Sequence, residues 1–154
     1  MEKEITIVTA FFNINRQVWK KFERTEDQYF EYFKGWAQLK NTIIIYCETE
    51  NMKNKIMKFR NELGLEQRTI VHIVDEFRNI DPELLASIKK AAENKVQQGA
   101  RLFVNNPEVW NADYDYVMLL KMWCVQDAVS RGETGDMVAW MDFGYNHGGA
   151  ILDI

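Results

Sequence analysis

The run Thr42-Ile-Ile-Ile-Tyr-Cys47 places five apolar side chains in succession, from Ile43 to Cys47, between polar flanks. A strand with one wet face alternates apolar and polar residues, whereas an unbroken run of this length predicts a strand buried on both faces. Covering both faces takes a layer above and a layer below. In one chain that means helices packed on each side of a mainly parallel sheet.

Three further runs repeat the pattern. With Thr42-Cys47 they predict strands near 5–12, 42–47, 69–74 and 137–142. Between them lie helix signals. Thr25-Glu-Asp-Gln28 is a capping box, and Tyr29, Phe33, Trp36 and Ala37 share one face of the helix behind it. Asn51 to Leu63 predicts a basic amphipathic helix with Ile56, Met57, Phe59 and Leu63 inward and Gly64 as its cap. Asp81-Pro82-Glu83 opens another helix, expected to run to Gln98 and stop at Gly99. Residues 100–112 predict a loop, and Asp113 to Arg131 a long helix ended by Gly132. This alternation predicts a three-layer α/β fold over residues 1–154, a single domain without internal repeats.

Composition narrows the function. A hydrophobic content of 47% and an aromatic content of 13% speak against disorder. The net charge of −4 with no basic stripe speaks against a nucleic-acid partner. Cys47 and Cys124 lie within apolar segments and predict buried free thiols. No secretory signal precedes the first strand and no apolar run reaches the ~20 residues of a membrane span, so a cytoplasmic protein is expected. Neither a Gly-x-Gly-x-x-Gly nor a phosphate loop is present, and Asp142-Phe-Gly144 matches the kinase tripeptide in letters only.

What remains is a set of polar groups at strand ends. Thr9, Phe11 and Phe12 close the first strand, Glu48 the second, Asp75 and Glu76 the third, and Asp142 the fourth. In a parallel sheet these ends share one edge, where α/β proteins bind ligands. Asp75 and Glu76 also suit the role of loop or helix-cap acids. Asp142 leaves an apolar strand into a glycine turn and needs a cation, a hydroxyl or a backbone amine opposite it. Lys121 sits in an apolar stretch of the long helix, where it either snorkels to solvent or meets an anion.

Several segments together resemble the bacterial HtrL/YibB family, found among surface-polysaccharide and lipopolysaccharide gene products. They are Thr6-Ile-Val-Thr-Ala-Phe-Phe-Asn-Ile14 with Arg16, Tyr29-Phe-Glu-Tyr-Phe-Lys-Gly-Trp36-Ala37, Ile44-Ile-Tyr46, Tyr116-Val-Met-Leu-Leu-Lys121 and Ala139-Trp-Met-Asp-Phe-Gly144-Tyr-Asn-His147. The resemblance implies a glycosyltransferase of the GT-A kind. Its donor would be a nucleotide-diphosphate sugar, gripped through Mg²⁺ or Mn²⁺, and its acceptor a glycan. Carried onto this chain, base and ribose fall on Thr9, Ala10, Phe11 and Phe12, with Arg16 toward the phosphates and Asp142 on the metal or the ribose; Lys121, if it meets an anion, is a further candidate for the phosphates. No catalytic base is implied. The usual metal motif is Asp-x-Asp, but Gly144 stands at its third position, so another ligand must come from elsewhere or from water.

The family looks longer than 154 residues. The expectation is therefore a donor-side portion of a transferase for surface glycan assembly, truncated before the acceptor half. The alternative is a non-catalytic binding or assembly module that keeps the fold. Either way an uncovered sheet edge at Trp140 and an apolar patch around Ile151 and Leu152 predict a homo-oligomer.

Overall fold

A computed structural model describes residues 4–94, 99 and 103–145. Its four strands are β1 (Ile5–Phe11), β2 (Ile43–Cys47), β3 (Thr69–Ile73) and β4 (Met137–Trp140). They form one sheet in the order β3-β2-β1-β4, with every neighbouring pair parallel. The helices are α1 (Glu26–Trp36), α2 (Glu50–Glu62), α3 (Pro82–Ala92), α4 (Pro107–Trp110) and α5 (Ala112–Ser130).

Alternation along β2 explains its unbroken apolar run. Ile43, Ile45 and Cys47 face a core closed by Phe33 and Trp36 of α1 and by Met52 and Ile56 of α2. Ile44 and Tyr46 face the other core, closed by Leu85 of α3 and by Tyr116, Leu120, Cys124 and Ala128 of α5. All five strand residues are buried, because helices cover both faces. The architecture is thus a parallel sheet between two helical layers, and none of the described helices is long and apolar enough to cross a membrane.

The helix starts follow local chemistry. Thr25 accepts the Gln28 amide while the Gln28 side chain accepts the Thr25 amide, completing the capping box. Thr49, Asp81 and Asn111 cap α2, α3 and α5 by accepting one amide of the first turn, without the reciprocal bond. Gly64 and Gly132 follow α2 and α5 at φ of 71° and 70°, a region that costs other residues strain.

Four expectations need correction. Ile56 and Phe59 of α2 pack on the core as expected, but its buried stripe is Met52, Ile56 and Arg60, at i, i+4 spacing, and Leu63 is exposed. Arg60 is fully buried without a carboxylate. It donates instead to the carbonyls of Ala37, Leu39, Asn41 and Arg68 and to Thr69 Oγ1. Burial lowers its pKa to about 10, and the ring of carbonyl dipoles satisfies its planar donors. Second, the stretch expected as loop contains α4, with Pro107 at its first turn. Third, Thr9 lies inside β1 rather than at its end. Fourth, the helix opened by Asp81-Pro82 ends at Ala92, capped by Glu93, short of the expected Gln98; Gln98, His147, Ile151 and Leu152 themselves lie outside the described residues.

Candidate functional site

Because β2 and β3 extend the sheet on one side of β1 and β4 on the other, the chain reverses its direction of growth between β1 and β4. At such a switch point the connections leaving two adjacent strands part to opposite sides, which opens a crevice at their carboxyl ends. A cavity of about 420 Å³ lies there. Its walls come from the β1 exit, the start of α1, α4, the middle of α5 and the β4 exit.

The structure brings Ala10, Phe11, Phe12, Arg16, Lys121 and Asp142 together on this one cavity. Thr9 is not among them. It is fully buried within β1, and its hydroxyl is the one buried side-chain oxygen or nitrogen without a hydrogen-bond partner among the described residues. Glu48 does not line the cavity either. It accepts the Asn13 amide at 2.5 Å and so ties the β2 end to the β1 exit, while burial raises its carboxyl above the ordinary range. Glu76 accepts the Arg78 amide at the start of a short turn, the cap role open to it from sequence.

The β4 exit is a turn closed by the Tyr145 amide on the Asp142 carbonyl, 2.8 Å. Phe143 anchors it, stacked on Phe33 at 4.5 Å and tilted against Phe11 at 5.3 Å. Trp36 Nε1 donates to the Phe143 carbonyl from below at 3.3 Å. With Phe143 held inward, Asp142 stands at the crevice. Gly144 presses on the ring of Tyr29, and a Cβ there would come within 2.9 Å of two ring carbons. A side chain of any kind at 144, an acid included, would have to move Tyr29.

Lys121 reaches across from α5 to Asp142, Nζ to Oδ1 at 2.6 Å. Trp140 Nε1 donates to the same oxygen at 2.7 Å, and the Lys121 ammonium lies 5.8 Å from the indole centre. The lysine meets an anion rather than snorkelling. Also on the cavity lining, the Arg16 guanidinium lies over Trp19 at 5.0 Å and 5.9 Å from the Tyr29 ring centre. It donates to the Tyr29 hydroxyl at 2.6 Å and twice to the Phe22 carbonyl, all neutral acceptors. Arg24 covers Tyr29 and Tyr32. Three basic side chains (Arg16, Arg24, Lys121) and two acidic ones (Glu108, Asp142) line the cavity among the described residues. Burial, followed by the charge of Glu108, raises the Tyr114 hydroxyl above its ordinary value and keeps it a neutral donor.

These residues do not fit a resident divalent cation. Mg²⁺ and Mn²⁺ want several oxygen ligands around them, and no group of three His, Cys, Asp or Glu side chains is so placed among the described residues. The one carboxylate at the strand end already takes an ammonium and an indole N–H on one oxygen.

Sequence reasoning missed Tyr29, Arg24 and Trp140 as crevice residues. Both Tyr29 and Trp140 lie in segments that resemble the family, but the sequence pattern marks Tyr29 only as part of a helix face and Trp140 only as a strand-edge residue. Nothing local to Arg24 marks it; proximity to Tyr29 in space is what places it.

A family model described as "Bacterial protein of unknown function (HtrL_YibB)" matches residues 3–151. Protein HtrL of Escherichia coli (strain K12) is 32% identical over 158 residues, covering 96% of this chain and 53% of that protein. The chain thus spans about half the length of the curated relative it matches. No solved structure matches it.

Proposed function

The chain belongs to the bacterial HtrL/YibB family, and from that membership and its crevice we propose that it is the donor-binding part of a GT-A-like glycosyltransferase in surface polysaccharide assembly. Its ligand is a nucleotide-diphosphate sugar. The observation that carries the reading is the convergence of Arg16 and Lys121, with an aromatic and apolar wall, on one cavity at the switch point of a parallel sheet. A cavity of about 420 Å³ lies within the roughly 300–1,000 Å³ typical of small-molecule sites.

Each part of the donor has a matching surface. A base is flat and apolar on its faces, which suits Phe12, Val117 and Met118. The diphosphate is the charged part, which suits the ammonium and guanidinium groups. In the transfer the bond from the sugar's anomeric carbon to the β-phosphate oxygen breaks, and that oxygen keeps the electron pair. The acceptor hydroxyl forms the new bond and releases its proton. Charge therefore grows on the departing diphosphate, where fixed positive groups stabilise the transition state more than the ground state. Lys121 is the crevice group best placed for this, since Asp142 and the Trp140 indole hold its head group.

A second reading is a module that binds the donor without transferring the sugar. The pairing of Asp142 with Lys121 favours it, because a carboxylate so engaged makes a poor base. Calorimetry against UDP, GDP, ADP and CDP, each with and without Mn²⁺, tests donor binding. One of the four is expected to bind, and failure of all four in both conditions rules the reading out. Sugar transfer to a glycan acceptor by a variant-sensitive, diphosphate-releasing reaction then separates enzyme from module.

A further inference from the structure

We infer that the diphosphate is held in this crevice without a divalent cation, by the Lys121 ammonium and the Arg16 guanidinium. The inference rests on the nucleotide-donor reading above and concerns how the same site balances charge.

A cation-bridged site needs free carboxylate oxygens aimed at one point. Here Asp142 Oδ1 receives both Lys121 Nζ at 2.6 Å and Trp140 Nε1 at 2.7 Å. A metal ion on that oxygen would stand beside an ammonium, and the two like charges would repel at close range. The natural place for a second acid, two residues along the chain, is closed: a Cβ at 144 would sit 2.9 Å from the Tyr29 ring. Tyr29 has little room to yield, because it is hydrogen-bonded to Arg16 and covered by Arg24.

The positive charge that a metal would bring is already present on side chains. Lys121 is carried by α5, whose inner residues Tyr116, Leu120 and Cys124 are buried against the sheet, so its backbone is fixed. Its side chain is about one-fifth exposed (22%) and lines the cavity, so it is partly shielded from water yet within reach of a ligand. Arg16 lies over the Trp19 ring and is bonded to the Tyr29 hydroxyl and the Phe22 carbonyl, neutral oxygens, so its contacts leave its charge uncancelled. Asp142 takes the part of a placeholder. It orients the ammonium toward the crevice and yields it, in whole or in part, to a phosphate oxygen on binding.

The two mechanisms give opposite results at Asp142. If Asp142 holds a metal, Asp142→Asn abolishes metal-dependent binding. If it competes with the phosphate for Lys121, the asparagine variant binds as tightly as wild type or more tightly. The probe is whichever of UDP, GDP, ADP and CDP binds tightest, titrated calorimetrically in EDTA and again in Mn²⁺. Three results are expected in EDTA: an affinity within about twofold of that in Mn²⁺, a loss of about tenfold or more in Lys121→Met, and retention in Lys121→Arg and Asp142→Asn. Thermal midpoints of the variants show that each is folded. Binding that appears only with Mn²⁺ and is lost in Asp142→Asn overturns the inference and leaves the donor reading standing. Metal-free binding that Lys121→Met leaves unchanged overturns it too. Absence of binding in every condition removes the donor reading and the inference together.

Discussion

Thr9 and Phe11 stand two apart on the same face of β1, yet only Phe11 reaches the crevice. Thr9 lies one step back, opposite Ile45, where the helices of that layer have closed over the strand. Its hydroxyl has no partner there, and an unmet buried hydroxyl costs about 1–3 kcal/mol. Valine has nearly the same shape and nothing to satisfy. Thr9→Val should therefore raise stability by about 1 kcal/mol, or roughly 3 °C in midpoint, and leave nucleotide binding untouched. A calorimetric scan and a ligand titration check both halves, and a loss of binding would return Thr9 to the site. The sequence marks Thr9 and Phe11 alike as residues near a strand end. Which of them meets the ligand depends on where the helical layer stops, and no local pattern carries that.

At the scale of elements, the joints between layers decide the stability of the platform. Tyr46 of β2 donates to Asp127 of α5 at 2.8 Å, and Arg131 donates to the same carboxylate oxygen at 2.6 Å. Burial pushes the Asp127 carboxyl upward, but the hydrogen bonds from Arg131 and Tyr46, with the charges of Arg131 and His72, outweigh it and hold the pKa below the ordinary value. A carboxyl with a depressed folded pKa stabilises above its unfolded pKa, about 3.9, and loses that contribution as pH falls through the folded value. Asp127→Asn should then lower the midpoint by a few degrees at neutral pH, and the gap to wild type should shrink as pH falls below about 3.9. Thermal scans across that range decide it, and a gap that persists in acid would mean that the charge was not what mattered. Nothing in the one-dimensional pattern pairs Tyr46 with Asp127, 81 residues apart. The strands and caps were legible because their signals are local: an apolar run, a Thr-x-x-Gln box, a glycine at positive φ. The outward turn of Leu63 was not, since Arg60 takes the inward place by finding carbonyl oxygens from two other segments. Hydropathy alone ranks a leucine as the better core residue.

On the scale of the whole molecule, the strand order matters most. The parallel sheet follows from buried runs joined by helices, but the placement of β4 beside β1 is what opens the crevice and gathers residues 10–16, 24–29, 106–121 and 140–144 around it. The same order leaves β4 at one edge of the described sheet, with Met137 exposed. α5 beside it is apolar nearly all round. Tyr116, Leu120, Cys124 and Ala128 face the core, while Leu119 and Met122 face outward, Met122 with 74% of its surface exposed. A helix apolar on two faces is normally covered on both. In this chain on its own, a second copy related by a two-fold axis is the simplest cover, since it buries the same patch on each partner. Light scattering should report a dimer at high concentration. The pair Leu119→Glu and Met122→Glu, on exposed helix positions where glutamate is well tolerated, should return it to a monomer with little change in midpoint. Neither residue lines the cavity, so nucleotide binding should survive in the monomer. A wild-type chain that stays monomeric, or a dimer indifferent to both glutamates, would show that this face is not the interface.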